Sequence, residues 1–299
     1  MKVAMIEHQG REQGALLTEN GLVTIKDLRK VYDLNLGDCL FDLLSLQQLP
    51  KLQDFFSRQA DSIQSKCASV IIPKDDAASV NYLPPYRCPR KIWGIGLNYC
   101  EHASDLDEIA PQSIPASFMK ADTTIIGYND AIKIPKLSNK TTGEAELGII
   151  IGKKCRNIEK ENWLDYVAGF TCILDMTAED ILRKNPRYLT VSKNFDTFFS
   201  FGPFIITPDE IENIRNINVA TVLNDNVHAK NVVSNMTFPP DFLVSFHSKV
   251  MTLFPGDIIS TGTPRAVKIS HNDVIECRID GFTSLKNHVV DLKKLNERM

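Results

Sequence analysis

The chain has 299 residues, 43% of them hydrophobic and 24% charged, which is enough to enclose a full core and ordinary for a globular protein. Its 34 basic and 37 acidic residues are interspersed and leave a formal net charge of −3, which excludes the basic stripe that a nucleic-acid partner requires. No apolar run approaches the roughly 20 residues needed to span a bilayer, and Met1-KVAMIEHQG lacks the basic start and apolar centre of a signal peptide, so the cytoplasm is the expected location and no membrane partner is expected.

In chain order, residues 1–85 read as a small leading unit that opens on the strand-like Met1-KVAMIE and a turn around Glu19-Asn20-Gly21. From Phe41 to Ala60 apolar residues recur at helical spacing, and Pro50 divides the run into two short helices. Asn81-YLPPYRCPR, with three prolines in six residues, breaks regular structure and marks the boundary to a main domain of residues 86–299. That domain opens on a buried strand at 91–99, followed by short apolar strands beginning at Ala131, Leu147, Gly169, Gly202, Asn218, Asp257, Asp273 and His288. Helices are expected around Glu159 to Tyr166, just after Asp175, and around Asp241 to Leu253. Strands and helices do not alternate regularly, so a mostly antiparallel or mixed α+β architecture is favoured over a doubly wound sheet. Gly94-x-Gly96 lacks the third glycine of a dinucleotide fingerprint.

Glu144 and Glu146, two residues apart in a strand, project from one face, and Asp175 closes the next apolar run. Two acids on one face need a counter-ion, and a third acid nearby points to a divalent cation held by hard oxygen ligands, with positions left for substrate and water. The seven cysteines form no C-x-x-C pair and are odd in number, which fits a reducing compartment. Cys100, beside His102, reads as a packing residue rather than a nucleophile. His228, His247, His271 and His288 read as structural or surface residues, and Phe195, Phe198, Phe199 and Phe201 as core.

The order of motifs resembles the fumarylacetoacetate hydrolase family: Gly96-LNYCEH, Ala116-SFMK, Glu144-AEL, Asp165-YVAGFTCILDMTAED, Ser192-KNFDTFFSFGP, Leu223-ND, Pro255-GDIISTGTP and Ile279-DGFTSLKN. The resemblance covers about residues 90–290. It implies a mixed β-roll with a small N-terminal α+β domain, a metal site of Glu144, Glu146 and Asp175 for Mg²⁺ or Mn²⁺, and a homodimer. It also implies Lys193 as the catalytic lysine and His102 as the group that activates water. Asp105 stands where members commonly have the glutamate that orients this histidine. Thr263 helps line the site, and Lys120, Glu179 and Arg183 are further candidates on the substrate side, with Phe118 and Met119 beside Lys120.

The implied substrate is a small oxo acid that chelates the metal through two oxygens. The leading expectation is hydrolysis of a C–C bond in an acylpyruvate-like or 2,4-dioxo acid. A decarboxylase, isomerase or hydratase would use the same metal site, and a catalytically silent member is the third reading. Departures from the family pattern fall around the pocket. Glu179-Asp180 and Leu182 stand where Arg-Asp and a glutamine are usual, and Asn224-Asp225, Ala229 and Ala266 replace Asn-Gly, glutamine and glycine. An acid at 179 exchanges attraction of a substrate carboxylate for repulsion, unless Arg183, four residues on, neutralises it.

Overall fold

The computed structural model describes residues 1–73, 80–99 and 111–295. His102, Asp105 and Cys100 lie outside the described residues.

The fold is α+β. Its centre is an antiparallel pair of long strands, β10 (Thr141–Ile151) and β11 (Val167–Ala178), joined in register from Thr141↔Ala178 to Ile150↔Gly169. Nearly every residue of both strands is buried. Period-two alternation divides the pair into two faces. Ala145, Leu147, Ile149 and Ile151 of β10 and Phe170, Cys172, Leu174 and Met176 of β11 enter the main core. The opposite face carries Glu144, Glu146 and Asp175, and further along Ile150 and Ile173, which join a second core. One sheet thus serves packing on one side and the candidate site on the other.

The large sheet extends from this pair in both directions. Beyond β11 come β12 (Phe199–Ile206), then β1 (Lys2–His8), β2 (Arg11–Leu17), β3 (Gly21–Thr24) and β4 (Ile72–Pro73). Short β5 (Asn81–Leu83) pairs with β1, and β8 (Ile125–Ile126) with β12. Beyond β10 come β15 (Ile258–Ser260), β6 (Ile92–Gly96) and β7 (Ala116–Lys120), with β16 (Val267–Lys268) also against β10. A second sheet orders β14 (Asn226–Val232), β13 (Asn218–Leu223), β17 (Val274–Ile279), β18 (Leu285–Asp291) and β9 (Ala131–Ile134). Its apolar residues Val219, Ile275, Cys277, Ile279, Leu285 and Val289 share the main core. Antiparallel and parallel pairings coexist, β15 running parallel to β6 and β18 to β9.

The described residues of the leading segment supply β1 to β5 and three helices, α1 (Ile25–Tyr32), α2 (Leu40–Ser45) and α3 (Leu49–Lys66). It joins the rest of the sheet through β1, where Val3 pairs with Ile205. Leu28, Leu40, Leu43 and Leu52 of its helices pack with Ile150, Ile173, Phe199 and Phe201. Pro50 falls in the first turn of α3, where its missing N–H leaves no hydrogen bond unmade. It therefore starts a helix of 18 residues, longer than the short one the periodicity indicated. Helix α1 is highly charged and went unseen in the sequence, although Thr24 caps it by accepting from the Asp27 N–H.

Among the described residues three further helices are α4 (Glu179–Lys184), α5 (Leu189–Lys193) and α6 (Pro240–Val250). The helix expected just after Asp175 starts only at Glu179, because Met176, Thr177 and Ala178 continue the ladder against Gly143, Thr142 and Thr141. The segment Lys160–Tyr166 is 3₁₀ rather than α. Among the described residues no helix is long and apolar enough to cross a membrane, and the six cysteines there are free thiols.

Candidate metal centre

Glu144 and Asp175 are directly opposed in the β10–β11 pairing, and Glu146 is two residues along the same face. One carboxylate oxygen from each lies within 4.8 Å of the others, and all three residues are buried. The local strand pattern is what places them: β10 and β11 share one pleat, so in-register residues emerge side by side.

Two lysines meet this cluster. Lys193, the last residue of α5, donates from Nζ to Glu144 Oε2 at 2.7 Å and to Asp175 Oδ2 at 2.8 Å. Burial alone would lower its pKa, but Asp175, Glu144 and Glu146 outweigh burial and hold the ammonium above its ordinary value. Lys120, from β7, donates to the other oxygen of Asp175, Oδ1, at 2.5 Å. Here burial wins over the attraction of Asp175, and its pKa falls to about 8.

Glu146 is held differently. Ser260 Oγ and the Gly262 N–H both donate to its Oε2, at 2.6 and 2.7 Å. Gly262 has φ +93°, and a Cβ there would stand 2.8 Å from Asn98 Cβ and 2.9 Å from the Ile95 carbonyl oxygen. Only glycine brings the backbone this close. Asn98 fixes that turn from below, donating from Nδ2 to the carbonyls of Phe238 and Thr261 and accepting from the Phe238 N–H. Two hydrogen bonds do not compensate the burial of Glu146 beside two other acids. Burial first, then Asp175 and Glu144, push its pKa up to about 8.

These residues fit a divalent cation. Among the described residues three buried carboxylates face two ammonium groups, a formal deficit of one positive charge. A divalent cation would offset that deficit, and the donor set is the hard-oxygen kind that such ions take.

The remaining expected site residues are distributed around this cluster. Thr263 is buried next to Gly262 and donates to the Arg265 carbonyl. Phe118 places its ring 4.7 Å from Lys193 Nζ. Glu179 is a junction between strand and helix, with Lys140 Nζ 2.8 Å from Oε2 and Arg183 Nε 2.6 Å from Oε1. Burial would raise its pKa, but these two cations hold it below the usual carboxylate value. The charge of Glu179 is thus neutralised locally, and Arg183 is spent on it. Phe198, Phe199 and Phe201 are fully buried core. His247 is also buried, with Nε2 2.7 Å from Ser117 Oγ and Nδ1 2.7 Å from the Leu243 carbonyl oxygen.

Sequence reasoning missed Ser260, Gly262, Asn98 and Thr177, the last of which reaches Glu144 Oε2 at 3.4 Å. Ser260 and Gly262 lie in the quoted Pro255-GDIISTGTP run, and a buried carboxylate with no basic neighbour in sequence was the signal that donors had to be sought there. Tyr99 was also missed: its hydroxyl is buried with no hydrogen-bond partner among the described residues, and burial followed by the charge of Glu146 pushes its pKa up.

The chain is similar to known proteins over most of its length. The model of the fumarylacetoacetate (FAA) hydrolase C-terminal domain matches residues 91–290. An oxaloacetate tautomerase of Xenopus laevis, described as mitochondrial, is 34% identical over 222 residues, covering 71% of this chain and 69% of its own. The crystal structure of maleylpyruvate hydrolase from Sphingobium sp. SYK-6, in complex with manganese(II) and pyruvate, superposes with a TM-score of 0.76 at 26% identity, covering 97% of this chain and 99% of that one. A 5-carboxymethyl-2-hydroxymuconate delta-isomerase from Mycobacterium smegmatis gives 0.73 at 25% identity, covering 97% and 99%. The matched span contains both glutamates, Asp175 and both lysines, and the chain belongs to the fumarylacetoacetate hydrolase family.

Proposed function

We propose that this protein is a divalent-metal-dependent enzyme that hydrolyses a C–C bond in a small acylpyruvate-like or 2,4-dioxo acid. The observation that carries the reading is Lys193 Nζ seated between Glu144 and Asp175, a charged donor at the edge of a buried carboxylate cluster. A cation held by Glu144, Glu146 and Asp175, Mg²⁺ or Mn²⁺, would supply Lewis-acid polarisation of the two substrate oxygens.

The chain's own groups do the rest. Lys193 stays protonated and presents N–H bonds to negative charge that develops on a ketone oxygen as the neighbouring C–C bond breaks. Fixed groups in a buried site outperform water in this role because they need no reorganisation. His102, with Asp105 orienting it, takes a proton from water at an imidazole nitrogen. The Gly262–Thr263 turn keeps Glu146 in place, and Thr263 and the Phe118 ring wall the site. A homodimer is the assembly carried over from the resemblance, and sedimentation velocity tests it.

A second reading is supported by the tautomerase relative. Enol–keto exchange in a 2-oxo diacid such as oxaloacetate uses the same charged lysine and metal without attack by water. The deciding experiment follows loss of the enol absorbance of a panel of acylpyruvates and of oxaloacetate, with Mn²⁺, with chelator and in Glu144→Ala, and identifies products by mass. Two acid fragments from an acylpyruvate, with water added across the broken bond, support hydrolysis. An unfragmented acid at an accelerated enol–keto equilibrium supports tautomerisation and sinks the hydrolase reading.

A further inference from the structure

Resting on that reading of the site, we propose that Lys120 is a positioning residue: the internal counter-ion of Asp175 and, together with Phe118, the clamp that holds Lys193, with no contact to substrate.

Its ammonium has three hydrogens and three acceptors within the protein: Asp175 Oδ1 at 2.5 Å, the Lys193 carbonyl at 2.5 Å and the Met176 carbonyl at 3.4 Å. The side chain is fully buried, so no donor remains for a ligand. The Lys193 carbonyl ends helix α5 and is one of the groups a helix leaves without an internal partner. A lysine from a neighbouring strand satisfies it, as basic side chains do at helix C-termini. Asn194 reinforces the join, accepting from the Ala121 N–H at 2.6 Å and donating to the Met119 carbonyl at 3.3 Å. Residues 119, 120 and 121 are thereby tied in succession to 193 and 194.

The other end of Lys193 is held by the same strand. Phe118 and Lys120 share a face of β7, and the Phe118 ring lies under Lys193 Nζ. That ring sits over Gly94, its cross-strand partner, where a Cβ would come within 2.3 Å of it. Gly94 in turn pairs with Ser260, the donor to Glu146. A single row across the sheet, Phe118, Gly94 and Ser260, therefore supports both Lys193 and Glu146.

The test is Mn²⁺ binding to the metal-free protein, read from the electron paramagnetic resonance signal of free Mn²⁺, followed by pyruvate binding to the Mn²⁺ form. Lys120→Met keeps the volume and removes the charge beside Asp175. Coulomb's law then calls for Mn²⁺ affinity to tighten by about threefold or more, with pyruvate affinity within about threefold of wild type. Lys120→Arg, which restores the charge, returns Mn²⁺ affinity to within about twofold. Asn194→Ala cuts the join without altering charge and keeps the proposal testable if Lys120→Met does not fold. It should leave Mn²⁺ affinity unchanged and lower kcat about tenfold with little change in KM, as expected of misplacement near the chemistry. Unchanged Mn²⁺ affinity with a tenfold loss of pyruvate affinity in Lys120→Met would make Lys120 a substrate contact and overturn the proposal. So would an Asn194→Ala enzyme of wild-type kcat. Failure of the wild type to bind Mn²⁺ would instead sink the metal reading itself.

Discussion

Glu144 and Asp175 stand opposite one another across β10 and β11, and Lys193 Nζ reaches both from a helix that begins eleven residues after β11 ends. Two carboxylates side by side on a sheet repel. The lysine offsets that repulsion, while burial and then the two neighbouring acids raise the pKa of Glu146, further along the strand.

The first prediction concerns pH. The folded pKa of Glu146 is raised from 4.5 to about 8, so between these values the metal-free folded chain holds a proton that the unfolded chain has lost. Its contribution to stability is fully present below 4.5 and is lost as pH rises through about 8. Denaturant melts in chelator should show wild type losing stability relative to Glu146→Gln across that window. Parallel curves for the two proteins would refute the assignment. Metal binding below pH 8 should also release protons in wild type, measurable by calorimetry in buffers of different ionisation enthalpy.

Lys193→Met removes the donor and the counter-ion together. The expected loss in kcat is about 10²- to 10³-fold, the usual cost of deleting one electrostatic stabiliser. Without metal, Lys120 beside Asp175 is then the one ammonium left among the described residues to offset Glu144 and Asp175, so the rise in Tm on adding Mn²⁺ should exceed that of wild type. An equal rise would show that the lysine does not neutralise the pair.

Gly262→Ala tests the turn that serves Glu146. The positive φ and the contacts with Asn98 and Ile95 require the backbone to shift, at a cost of about 1–3 kcal/mol. The shifted N–H releases Glu146 Oε2, and Mn²⁺ affinity measured by titration should weaken. Wild-type affinity in a destabilised protein would confine the role of Gly262 to folding.

Glu179→Arg places a third cation beside Lys140 and Arg183. Loss of the two ion pairs is expected to cost about 1 kcal/mol or less for each such part-exposed pair and to lower Tm. Activity on acylpyruvates should not rise, because the carboxylate removed was already neutralised. A gain in kcat/KM on any of them would show that position 179 faces the substrate.

The features legible in the sequence were those set by local periodicity. Residues 144 and 146 had to share a face because a strand repeats every two residues, and the apolar runs had to be strands buried on both sides. Helix α1 and the strand ending at Lys120 were illegible, since charged residues and two exposed positions blur the period. Asp175 was recognisable as an acid closing an apolar run, but only the register of β10 against β11 put it opposite Glu144 rather than one residue away.

What tertiary structure alone decided were the partners of the charges. Lys120 finds the carbonyl of a residue 73 positions away, Ser260 reaches a glutamate 114 positions away, and Glu179 closes on Lys140 as well as on Arg183. Composition tells that such charges must be compensated once buried. Which groups compensate them depends on which strands come to lie side by side, and that choice is made by the packing of distant segments against one another rather than by any local stretch of the chain.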